Sequence, residues 1–66
     1  MDHYLIRATI IPEVIKLIIQ EYGINQEEAL EAFYLSATGV SLADDETGLY
    51  GQSPLYIFGL YKNEIK

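Results

Sequence analysis

The chain has 66 residues, ten of them acidic and four basic, with half apolar or aromatic and no cysteine, for a formal net charge of −6. That length makes one small domain, 1–66, and a folded chain of this size hides only about 60% of the surface its open form exposes. Without cysteine there can be no disulfide, thiolate metal site or cysteine nucleophile, and Arg7, Lys16, Lys62 and Lys66 are too few and scattered to neutralise nucleic-acid phosphates or an anionic bilayer.

The apolar content argues against disorder. No uncharged apolar stretch approaches the 18 residues of a membrane span. The opening Met1, Asp2 and His3 lack the pattern of a signal peptide, so the expected location is cytoplasmic.

The first element covers 11–22. Across the wider piece from about Tyr4 to Tyr22, the polar positions Thr9, Glu13, Lys16 and Gln20 recur at helical spacing, and nearly everything else is apolar. Pro12 fits the first turn of a helix that begins near Ile11, whereas inside a longer helix it would introduce a kink. With a start near Ile11, residues 4–8 form a separate turn or extended arm. Gly23 ends this helix, with Ile24 folding back on Ile19. Asn25 opens the next helix at once, because Glu28 stands three residues on to complete a capping box. The second helix is expected at 25–37, with Ala29, Leu30, Phe33, Tyr34 and Ala37 turned to the core and Gln26, Glu27, Glu28 and Glu31 turned to water.

A short helical turn near 39–44 follows, capped by Thr38 and carrying Val40, Leu42 and Ala43. Asp44, Asp45, Glu46, Thr47 and Gly48 read as a turn, with Leu49 and Tyr50 pinning it to the body. Ser53 as cap and Pro54 in the first turn start a third main helix at 54–65, with Ile57, Leu60, Tyr61 and Ile65 on one stripe. The whole is an all-α domain of three main helices plus a short helical turn. The alternative is an α+β fold with a small β-hairpin at 40–50, pairing 40–42 with 49–50.

Catalytic chemistry finds little support. His3 is the only histidine, so zinc clusters and histidine-activated serines have no partner. An EF-hand beginning at Asp44 would need glycine where Leu49 stands and glutamate where Leu55 stands. Glu27 and Glu31 share a helix face, which on a polar face reads as solvation. No enzyme activity, catalytic residue, cofactor or metal is expected.

Six tyrosines suit a surface that is apolar in body and wet at the edge. A first helix apolar around most of its circumference should leave one side open, and an open apolar face marks an association site. The expected interface comprises Ile11, Ile15, Ile19, Tyr22, Tyr50 and Phe58, and takes a protein partner or a second copy. Closure of the monomer by Tyr50, Tyr56 and Phe58 is the competing arrangement. Glu27, Glu28, Glu31, Asp44, Asp45 and Glu46 would steer the surface to a basic partner. A small-ligand carrier, its excess apolar residues lining a cavity, is the remaining alternative.

Glu27, Glu28, Ala29 and Leu30, then Phe33, Tyr34 and Ser36, then the run from Asp45 to Tyr50, and finally Ser53, Pro54, Tyr56 and Ile57 carry a resemblance. Over 13–62 the chain resembles a type of short bacterial single-domain protein with a helix ahead of these two segments. The resemblance implies a bacterial cytoplasmic accessory protein, similar in size and acidity to antitoxin-like or regulatory partner proteins, and it assigns no residue a role.

Overall fold

A computed structural model describes residues 4–65 of the chain. His3 and Lys66 lie outside the described residues, and so do the side chains of residues 4–8 and 45. Four helices follow one another: α1 (Tyr4–Tyr22), α2 (Gln26–Leu35), α3 (Ala37–Ala43) and α4 (Pro54–Ile65). Two single 3₁₀ turns, Asp45–Thr47 and Leu49–Gly51, join α3 to α4. The fold is all-α. Residues 40–50 form the end of α3 and these two turns, so the hairpin alternative fails, and among the described residues there is no strand.

α1 starts well before the expected residue 11, and Pro12 lies inside it. Proline has no N–H for the carbonyl of Ala8, which ordinarily ends a helix or bends it. Here Pro12 is on the exposed side of α1, while Ile10, Val14 and Ile18, one helical stripe, are buried together. The missing bond therefore falls toward solvent, and burial of the opposite stripe holds the helix together across it.

At the far end of α1, Gly23 takes φ +65°, and its N–H donates to the Ile19 carbonyl at 2.9 Å. This left-handed closure is open to glycine at no steric cost. Ile19 and Ile24 both pack against the core, half-buried. Two residues later the capping box forms as its spacing predicts. The Glu28 N–H donates to Asn25 Oδ1 at 2.8 Å, and the Asn25 N–H donates to Glu28 Oε1 at 3.2 Å.

α2 ends two residues earlier than expected because Ser36 leaves the helix, at φ −82° and ψ 158°. Its hydroxyl donates to the Phe33 carbonyl at 2.5 Å and accepts from the Gly39 N–H at 2.9 Å. One serine thus closes α2 and opens α3, so Ser36, and not Thr38, is the cap of α3. The corner is tight. A Cβ on Gly39 would lie 2.0 Å from the Phe33 carbonyl oxygen, so only glycine lets α3 turn across the end of α2.

Beyond α3, the Thr47 hydroxyl is shared between the carbonyls of Ser41 (2.6 Å) and Asp44 (2.9 Å), and Gly48 adopts φ +67°. Leu49 is buried and Tyr50 is packed against the core, as expected of anchors for this loop. α4 starts with the Tyr56 N–H donating to Ser53 Oγ at 3.2 Å.

The core lies where α1, α2, α3 and α4 converge, around Val14, Ile18, Phe33, Leu42 and Ile57. Phe33 and Tyr61 rings meet at 5.9 Å, and Tyr22 stands edge-on to Tyr61 at 6.4 Å. Ile65, expected on the buried stripe of α4, is exposed, and Phe58 takes its place in the core.

Candidate functional site

Burial reverses the expected docking face. Ile15 is only 4% exposed and Phe58 is buried, both within the core cluster. Ile11, Ile19 and Tyr50 are half-buried and packed against that cluster. Of the six expected interface residues Tyr22, at 40%, is the most exposed, while Ile15 and Phe58 belong to the core. The other side of α1 is no more open, since Ile10 and Val14 are buried and Leu17 is half-buried. The physical reason is that α2, α4 and the Leu49–Gly51 turn all pack on α1. Two short helices alone could not cover its circumference, but a third packing element can. Phe58 is buried and Tyr50 packs against the core, while Tyr56, expected alongside them, is exposed.

The exposed apolar residues are elsewhere. Leu35, at the last position of α2, is 80% exposed, and Val40, in the middle of α3, is 62% exposed. Tyr34, one residue before Leu35, is also exposed. These three flank the Ser36 corner. Leu55 and Tyr56 form a second exposed pair in the first turn of α4.

Charge divides along the same lines. Every charged residue between Lys16 on α1 and Lys62 on α4 is acidic: Glu21, Glu27, Glu28, Glu31, Asp44, Asp45 and Glu46. Glu27, Glu28 and Glu31 are exposed on α2 ahead of the corner, and Asp44 and Glu46 are exposed just after α3. The α2–α3 corner therefore exposes Tyr34, Leu35 and Val40, with acidic residues on both sides along the chain.

The corner is held by an acid from far away in sequence. Glu64, near the end of α4, accepts from the Ala37 N–H (2.6 Å), the Thr38 N–H (2.9 Å) and the Thr38 hydroxyl (2.7 Å). These hydrogen bonds from the Thr38 hydroxyl and the two N–H groups hold the Glu64 carboxyl below the usual carboxylate range. Tyr61, one turn earlier on the same helix, is pushed up by burial and then by the neighbouring Tyr22 and Glu64.

At the same end of α4, toward the end of α1, Tyr22, Lys62, Asn63 and Ile65 line an open groove of about 480 Å³. Its Lys62 is engaged: Lys62 Nζ lies 3.4 Å from Glu21 Oε2 and 5.4 Å above the Phe58 ring. Glu27 and Glu31, the possible acid–base pair, are both exposed on α2. Asp44 accepts from the Glu46 N–H at 2.9 Å within its own turn. Among the described residues, no group of three or more His, Asp or Glu could hold a metal ion, and no helix is long and apolar enough to cross a membrane.

Sequence reasoning grouped Val40 with Leu42 and Ala43, of which Leu42 alone is buried, and gave Leu35 and Glu64 no role. Leu35 could have been found, because it falls off the Ala29–Phe33 stripe that α2 buries. Glu64 carried no local signal, since its partners are 26 and 27 residues away. Compared with known proteins, the chain matches no family model, no curated protein and no solved structure.

Proposed function

We propose that this chain is a non-catalytic interaction module that docks a basic partner protein on the α2–α3 corner. The observation that supports this most is the exposure of Leu35 and Val40 on a chain that has buried Ile10, Ile15 and Ile18 of α1. An exposed leucine adds nothing to folding, and covering it is worth about 1.5–3 kcal/mol. Acidic residues before and after the patch favour a cationic partner and raise its association rate. They also disfavour a second copy, which would bring the same acidic flanks to the interface. A cytoplasmic, antitoxin-like inhibitor of a cationic protein is the sharpest form of this reading.

The test is a double variant, Leu35→Ser with Val40→Ser. Partners captured from cells that make the protein are identified, and each purified candidate is titrated against both forms. A basic protein should bind the natural chain, lose at least about tenfold in affinity for the double variant, and bind more weakly as salt rises. Equal affinity for the two forms, or the same affinity at low and high salt, overturns the reading.

A further inference from the structure

The first amides of any helix have no acceptor inside it and must find one elsewhere. In α3 they are fully accounted for. The Gly39 N–H goes to Ser36 Oγ, and the first bond of the regular ladder runs from Val40 to Ser36. The Ala37 and Thr38 N–H groups both go to Glu64, whose carboxylate spans them and also takes the Thr38 hydroxyl. The α2–α3 corner is thereby tied to the last turn of α4 through one side chain. We propose that Glu64 is a latch: its ionised carboxylate fixes the start of α3 against α4, and its neutralisation releases that corner while the core stays packed.

A neutral carboxylic acid carries a proton on one oxygen and loses charge on both, so it cannot hold three donors as the carboxylate does. The surroundings of Glu64 fit a local switch. On its own helix the ionisable neighbours are Tyr61, whose hydroxyl stays protonated at acid pH, and Lys62, which is paired with Glu21 of α1. From α1, Tyr22 meets Tyr61. α3 itself carries no ionisable residue, with Asp44 following its last turn, and on α2 the nearest in sequence to the corner are Glu31 and Tyr34. The Glu64 carboxyl sits below the usual carboxylate range. The latch is therefore closed at neutral pH and in mild acid, and is lost as pH falls through that lowered value. It precedes and does not require the docking reading, although Leu35 and Val40 flank the corner it holds.

NMR of the intact chain tests it without any partner. As pH is lowered, the Ala37 and Thr38 amide shifts should move together with the Glu64 side-chain carboxyl, at one midpoint below that of ordinary glutamates. The Tyr56 amide, which caps on the neutral Ser53 hydroxyl, should stay still over that step. Glu64→Gln should remove this response, and Glu64→Ala should speed hydrogen exchange at Ala37 and Thr38 by roughly tenfold or more, with Tyr56 unchanged. Should Glu64→Ala not fold, the titration of the natural chain decides alone. Ala37 and Thr38 amides that ignore the Glu64 titration, or that already exchange freely at neutral pH, overturn the latch.

Discussion

The inner faces of α1 and the α2–α3 corner handle apolar residues in opposite ways. α1 has the more apolar sequence and hides it: Ile10, Val14, Ile15 and Ile18 are buried. The corner has fewer apolar residues, yet it leaves Leu35 and Val40 in water on a scaffold held by Ser36, Gly39 and Glu64. How apolar a segment is sets what it would gain from cover. Which neighbours fold back on it decides whether it gets any. Exposed apolar residues on a chain that packs most of its described apolar residues into or against the core are thus more informative than the density of isoleucine on α1.

The largest way to break this contrast is to put a charge where α1 is sealed. Ile15→Lys should cost about 4 kcal/mol, because an ammonium at a position this buried finds no partner. The expected result is loss of cooperative unfolding in urea, and not a helical monomer released from a complex. Next comes Gly39→Ala, which sets a methyl group against the Phe33 carbonyl and must push α3 from α2. It should cost about 3 kcal/mol, and in a domain this small would lower Tm by about 12–24 °C in a calorimetric scan. A Tm within a few degrees of the natural chain would show that the corner is looser than its geometry says.

Asn25→Ala sharpens the contrast between a local cap and a distant one. It removes the acceptor of the Glu28 N–H and should cost about 1 kcal/mol by chemical denaturation, leaving Ala37 and Thr38 protected. The smallest effect on stability belongs to Leu35→Ser with Val40→Ser, expected within about 0.5 kcal/mol of the natural chain. A loss of several kcal/mol there would mean that these side chains support the fold and do not serve as docking surface.

What could be read from the sequence was what is local. Asn25 and Glu28 cap each other across three residues, Gly23 supplies its left-handed turn, and Ser53 with Pro54 opens α4, all visible as short patterns. The all-α class follows from the same signals. Pro12 misled because its penalty was weighed without the burial of the opposite stripe, which the packing of α2, α4 and the Leu49–Gly51 turn provides. Ser36 fell inside the helix expected at 25–37, and its role depends on Gly39 passing close to Phe33. The expected interface failed for the same reason on a larger scale. Ile15 and Phe58 are core residues because distant elements meet there, and no pattern within α1 could reveal that.

The sealed helix and the open corner can be compared in one experiment, methyl relaxation by a soluble, uncharged paramagnetic probe. Leu35 and Val40 methyl signals should broaden strongly, while those of Val14, Ile15 and Ile18 stay sharp. Broadening of Ile15 to the level of Leu35 would contradict the sealed face of α1, and sharp Leu35 and Val40 signals in the isolated monomer would remove the docking surface.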